Sequence, residues 1–474
     1  MKISDSGKSS PPINFMNTLI FIFYGISSLL AWNAIMSELP FFTFYLEKMD
    51  PATSFPFLNY ALNIVLQFIM INNRNLIPLN YRLIGGLIFG IIVLILLPLV
   101  VLILEKNSTT NVITTGGIIL FMGMINALCS GGFFALSSFF PIHLMIAFSA
   151  GQGFSGVMMN IIQYFVLAGV NSGDREKDLK KTAWIYFGIS AGCLLIVLII
   201  LIYQLNSDFF KYYLKPLNAK AKQEEKKNKS KKESNLEDDQ IEEEEEKNSN
   251  LLNSNSTDIG QELNSKGSES QSKRDSEVKI SNNNDNNKNE ELEKKPVNAR
   301  QISFFAMFKI LMDLDLLRTY INLLSNSLFP KAGVIQSLFK MDKYKTVTIL
   351  IIYNFMDFFG RYIVLIFKQT KRKTYIIAIG RSILYFLLIF NYYCQEELES
   401  NLNLTSILLI VYVTSLGLTH GIGNSLCFGL APTMVEDDLK LQAGSSMSFF
   451  TVFGLFLGSC LAFLTKYILE KIQK

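Results

Sequence analysis

At 474 residues, half of them hydrophobic and 38 of them Phe, the chain is too apolar for a water-soluble protein of ordinary composition. Its net charge of +4 averages two unlike parts: residues 206–300 hold 18 basic and 21 acidic groups, leaving 26 and 19 elsewhere, an excess that fits basic loops on one side of a bilayer and argues against nucleic-acid binding. Two histidines, His143 and His420, leave almost no material for a metal centre or a His-based triad, and the cysteines (Cys129, Cys193, Cys394, Cys427, Cys460) lack CxxC spacing and read as small core residues, so no metal, disulfide or cofactor is expected.

Residues 1–14 are polar and mildly basic. The apolar run from Phe15 to Ser37 is too long for a signal-peptide core and lacks a small-residue cleavage site, so it reads as a retained first span. Further runs follow at about Ser54–Ile71, Arg82–Leu104, Gly116–Phe139, Ala147–Val170 and Thr182–Leu205. A Lys, Glu, Asn and Ser-rich stretch intervenes, too poor in apolar residues to bury a core. Then come Ile310–Val334, Thr346–Lys368, Tyr375–Cys394, Leu404–Ala431 and Gly444–Lys466. Each run approaches the ~20 residues that cross a bilayer. The prediction is an all-α polytopic membrane protein with eleven spans: N-terminus 1–14, six helices over 15–205, a disordered charged linker over 206–305, five helices over 306–467 and a tail over 468–474.

Arg74 and Arg82, and the segment KQTKRK (Lys368 to Lys373), place one set of short loops in the cytoplasm together with the N-terminus and linker, and leave the C-terminus outside. Lys340, Lys343 and Lys345 dissent, since they fall outside on this map. Two sequons, at Asn107 and Asn403, lie on the outer side and are candidate glycosylation sites. With no obvious retention signal, the expected location is the plasma membrane.

The eighth span breaks the apolar pattern. Asp357 and Arg361 are four residues apart and share a helix face with Asn354. Ionisable groups at that depth mark a functional site by default. Other spans carry polar lines: Asn59, Asn63 and Gln67 in the second, Asn126 and Ser130 in the fourth, Gln152, Ser155, Asn160 and Gln163 in the fifth, Asn322, Ser325 and Asn326 in the seventh, His420 and Asn424 in the tenth. These either hold helices together or wet a cavity wall. Leu29, Trp32, Asn33 and Met36 cluster on the first span. Gly131, Gly151, Gly153, Gly156 and Gly421 read as close-packing points, because GQGFSG follows no strand and makes a poor phosphate loop. Arg381, about 10 Å inside the cytoplasmic face at 1.5 Å per residue, either lines a pathway or pairs with an acid as a latch.

Taken together, these stretches resemble the equilibrative nucleoside transporter family from the first span to the last. GISSLLAWN (Gly25 to Asn33) is similar to the family's G-x-x-x-L-L-P-W-N, and YNFMDFFGR, which includes Gly360, to its F-N-x-x-D-x-x-G-R. GGFFALSSFFP, SAGQGFSG and FKIL resemble its fourth, fifth and seventh span stretches. The resemblance implies a major-facilitator-like fold, six plus five helices around a central cavity, working by alternating access. It implies that Trp32, Asn33 and Met36 border the substrate and that Asp357 and Arg361 hydrogen-bond a ribose. Two departures stand out: Ala31 replaces the Pro before Trp-Asn, and Ser130 replaces a base-reading Gln.

The expected activity is facilitated diffusion of nucleosides or nucleobases, with a proton-coupled carrier or a carrier of another small polar solute as alternatives. Expected partners are a small-molecule substrate and the lipid bilayer. An enzyme is disfavoured: no HExxH, acid pair or activated Ser appears.

Overall fold

The computed structural model describes residues 11–73, 76–170, 173–214, 302–328, 343–366, 370–384, 386–387 and 402–472. Arg74, Lys340, Cys394, residues 1–10, 215–301 and 388–401 lie outside the described residues, as do the side chains of Lys343, Lys345 and Asn403.

Among the described residues every regular element is helical. The helices are α1 (Phe15–Ser37), α2 (Leu39–Tyr45), α3 (Pro51–Asn72), α4 (Leu79–Ile103), α5 (Thr109–Ser137), α6 (Ile142–Gly169), α7 (Arg175–Leu205), α8 (Phe304–Leu328), α9 (Lys343–Ile363), α10 (Lys371–Gly380), α11 (Leu402–Leu430) and α12 (Lys440–Ile472). The first run ends where hydropathy places it. Others start earlier, because polar residues cap and continue the apolar turns. Asp174 is an example: its Oδ1 accepts from the backbone N–H groups of Glu176 and Lys177 at 3.1 and 3.3 Å, starting α7 seven residues before Thr182. The same backbone contact with Lys177, followed by that residue's ammonium, holds the Asp174 carboxyl below its usual range.

Among the described residues eight helices (α1, α3, α4, α5, α6, α7, α11 and α12) are long and apolar enough to cross a membrane. Of the remainder, α8 and α9 run for 25 and 21 residues but carry four charged residues each, and α10 has 10 described residues. Ile92, Ile95, Ile196 and Ile199 stand 49 to 61% exposed on α4 and α7, an apolar outer surface suited to lipid. Of the cysteines, Cys129 and Cys427 are buried as expected, but Cys193 is half-buried and Cys460 is exposed on α12. The correction has a simple cause: in lipid, an apolar thiol costs nothing on the outer surface.

Within the first half, α1 packs along α6, α3 and α4 pack on α5, and α4 packs on α7. In the second, α8 packs on α12 and α9 on α11. Contacts between the halves run from α6 to α9 and α11, and from α12 to α3 and α5. Two of these crossings depend on glycine. A Cβ at Gly25 would collide with the Phe148 carbonyl oxygen, and one at Gly151 with that of Ile22, closing α1 on α6 from both sides. A Cβ at Gly421 would strike the Asp357 carbonyl oxygen, and one at Gly360 that of Leu418, so α9 and α11 touch backbone to backbone.

Substituting Gly421→Val should therefore destabilise the purified protein by about 1–3 kcal/mol, the usual range for overpacking. Gly188→Ala, which meets nothing within 4 Å, should be neutral or mildly stabilising. Thermal unfolding in detergent measures both, and equal midpoints would contradict this account of the crossing.

Candidate functional site

The helical register of α9 puts Asn354, Asp357 and Arg361 on one face, turned toward a cavity of about 310 Å³. Asp357 is 4% exposed and Arg361 6%. Arg361 Nε donates to Asp357 Oδ2 at 2.9 Å. Its Nη1 reaches across to α6, donating to the Ser149 carbonyl at 3.1 Å and to Ser149 Oγ and Gln152 Oε1 at 3.3 Å each. The guanidinium thus both neutralises the carboxylate and ties the two halves together.

The other carboxylate oxygen is also engaged. His420, on α11, places Nδ1 2.9 Å from Asp357 Oδ1 and Nε2 3.3 Å from Asn322 Oδ1 on α8. Asn322 Nδ2 donates to the Arg318 carbonyl at 2.8 Å and to Asn424 Oδ1 at 2.9 Å. Arg318 donates Nη1–H to the Asn424 carbonyl at 2.9 Å and Nε–H to Thr451 on α12, and its guanidinium lies over the rings of Phe134 and Phe428. Asp315, fully buried one turn away, accepts from Ser446 Oγ at 3.4 Å.

The facing wall comes from α1, α3 and α5. Leu29, Trp32, Asn33 and Met36 line it, with Trp32 against Tyr60 at 5.7 Å between centroids and Asn33 Nδ2 donating to Ser155 Oγ at 3.0 Å. Asn63, Asn126 and Ser130 also line it. Gln67 sits behind this surface, where Nε2 donates to Asn63 Oδ1 at 2.7 Å, and Asn126 Nδ2 donates to Asn59 Oδ1 at 2.8 Å. The cavity therefore joins two apolar or aromatic surfaces to a dense set of hydrogen-bonding groups, the make-up of a pocket for a small polar ligand.

Of the residues singled out from the sequence, all the lining candidates except Gln67 meet here, joined by Gln152 and Gly156. Gly131 packs beside Gln67 and Ser448, Gly153 beside Phe358 and Arg361, and Gly156 beside Asn354. Arg381 does not line the cavity, and it hydrogen-bonds neutral groups: it donates to the Leu416 carbonyl at 3.2 Å, to Thr419 Oγ1 at 2.9 Å and to Ser325, clasping α10 to α11 and α8. Asn107 has a positive φ of 59°, and its Nδ2 donates to Glu47 Oε2 at 2.9 Å. Among the described residues no three His, Cys, Asp or Glu side chains converge as metal ligands. Sequence reasoning missed Arg318 and the contact of His420 with Asp357. The rule that exposed Arg361, a charge inside an apolar run, applies equally to Arg318.

The profile of the family described as Nucleoside transporter matches residues 117–467. Human equilibrative nucleoside transporter 1 is 21% identical over 496 aligned positions, covering 95% of this chain and 96% of that protein. Equilibrative nucleotide transporter 1 of Arabidopsis thaliana is 24% identical over 177 positions, 36% of this chain and 38% of the other. Among solved structures, the major facilitator proton:xylose symporter XylE superposes with a TM-score of 0.58 at 13% identity, covering 97% of this chain and 89% of that one. The E. coli fucose:proton symporter gives 0.54 at 11% identity, with 97% and 93% covered. The fold is that of the major facilitator superfamily. With the family's profile matching well over half of its length, the chain is a multi-pass membrane transporter and belongs to the nucleoside transporter family.

Proposed function

We propose that this chain carries nucleosides, and by extension free nucleobases, down their gradient by alternating access, with the α9 pair at the centre of the site. The observation that carries the reading is the buried Asp357–Arg361 pair facing a cavity whose opposite wall holds Trp32, Met36 and a line of amides. A nucleoside is neutral, with a flat apolar base and a hydroxyl-bearing sugar. In this reading Asp357 accepts from sugar hydroxyls, a charge-assisted arrangement, and Arg361 keeps it ionised and correctly turned. Trp32, Leu29 and Met36 cover the base, and Asn33, Asn63, Ser130 and Asn354 meet its polar edges. Gly25, Gly151 and Gly153 set the helix crossings that rock, and Arg381 braces the inner end of the second half.

The same reading includes the topology: eleven spans in bundles of six and five, residues 1–14 and 206–305 cytoplasmic, residues 468–474 outside, and the plasma membrane as the site of action. Basic short loops support the orientation, and the outer-side sequons at Asn107 and Asn403 support the surface location.

In cells lacking their own carrier, the chain should give saturable uptake of labelled adenosine or uridine. Asp357→Ala should cut transport efficiency about 10- to 100-fold, the worth of one or two hydrogen bonds to a charge. Equal uptake by wild type and variant would end the assignment. Ser130→Gln should change the rank order of competing purine and pyrimidine nucleosides by roughly tenfold in relative inhibition, about 1.4 kcal/mol of discrimination. An unchanged ranking would remove Ser130 from the base-facing set.

A further inference from the structure

Arg318 is the charge in the cavity wall that lacks a counter-charge. It shares a face of α8 with Asn322 and Ser325, one and two turns on, and all three line the cavity. Only 2% of its surface is exposed. Its Nε–H goes to Thr451 and an Nη1–H to the Asn424 carbonyl, and its guanidinium lies over the rings of Phe134 and Phe428, 5.2 and 5.8 Å from their centroids. Neutral groups hold it in place. Nη2 meets no acceptor among the described residues, yet it is not sealed off.

The acids nearby are committed elsewhere. Asp315, one turn earlier, is buried outside the lining, sets both carboxylate oxygens 3.4 Å from Ser446 Oγ and forms no ion pair with Arg318. Asp357 is paired with Arg361 at 2.9 Å. The lining therefore holds two guanidiniums to one carboxylate. A buried cation without a partner costs several kcal/mol, and a guest that brings a negative charge supplies the partner.

We propose that Arg318 is an anion-recognising subsite, so that the carrier accepts nucleosides bearing an anionic group, carboxylate or phosphate, on the sugar. This rests on the transport reading above and adds a charged class to its neutral guests. The sugar is the end concerned because of the order of groups in the second half: Asp357 meets His420, His420 Nε2 stands 3.3 Å from Asn322 Oδ1, and Asn322 gives Nδ2 to the Arg318 carbonyl. A ribose held by Asp357 thus has Arg318 beyond it on the same wall, with the base against Trp32 opposite. The two N–H groups of Nη2 are donors for the oxygens of a carboxylate or phosphate, and the charge strengthens each bond. Phe134 and Phe428 keep water from the guanidinium, which lowers the local dielectric and sharpens the preference for charge.

The test uses the purified full chain in proteoliposomes with the membrane potential clamped by potassium and valinomycin. Vesicles preloaded with uridine should take up labelled uridine by counterflow, and failure there sinks the transport reading itself, separately from the subsite. Matched guests then isolate the charge: uridine 5′-carboxylate differs from its neutral carboxamide in one group, and uridine 5′-monophosphate supplies the phosphate arm. As competitors of labelled uridine, one or both anions should act at about tenfold lower concentration than the carboxamide in wild type, the worth of a charge-assisted bond, and the anion that does so identifies the group recognised. If neither anion outcompetes the carboxamide, wild type alone overturns the proposal. Vesicles preloaded with the preferred anion should also drive counterflow, and an anion that competes but drives none is not a carried guest, which overturns the proposal as well. In Arg318→Gln the ratio of anion to carboxamide should fall to about one, each protein serving as its own reference whatever its rate. A wild-type ratio in that variant removes Arg318 from the subsite.

Discussion

A carboxylate and a guanidinium buried in the middle of a helix are tolerable only when their oxygens and N–H groups find partners, and much of this structure can be read as the supply of those partners. Desolvation would cost each isolated ion several kcal/mol. The pair answers it with one mutual bond, a backbone carbonyl and two side chains from α6, and a histidine from α11. Those bonds demand that three helices approach closely, and the glycines at Gly360 and Gly421 make that approach possible by removing the Cβ atoms that would separate α9 from α11. The chemistry of the site and the spacing of the helices are therefore one constraint.

That constraint also explains why α8 and α9 are the least hydrophobic long helices. On α8, Arg318 donates to Thr451 and Asp315 accepts from Ser446, so two further buried ionisable groups hold the α8–α12 contact. Both helices carry buried ionisable groups in place of apolar side chains. The belts of isoleucine on α4 and α7 lie on helices that contribute no residue to the cavity.

Much of this was legible in the chain. Runs of apolar residues located the helices, since a lipid-facing helix needs little else, and Asp357 stood out because, with Asn354 and Arg361, it interrupts an otherwise apolar run. Helix starts were harder to read: α7 begins among the charges Arg175, Glu176 and Lys177, which hydropathy assigns to a loop, and only the Asp174 cap reveals the turn. The partners of the pair were illegible for a different reason. His420 lies 63 positions from Asp357, and Gln152 lies 209 from Arg361, so no local periodicity links them. Gln67 shows the converse error: it keeps the four-residue spacing of Asn59 and Asn63, yet it has rotated behind the wall to hold Asn63.

That last detail has a consequence for what the cavity can tell apart. Gln67 Nε2 donates to Asn63 Oδ1, so Asn63 keeps both of its N–H groups for the cavity; Asn126 gives one N–H to Asn59 Oδ1 and keeps its oxygen and its other N–H. The wall opposite the ion pair is thus turned in part from behind, since Gln67 lies outside the lining and yet sets how Asn63 faces it.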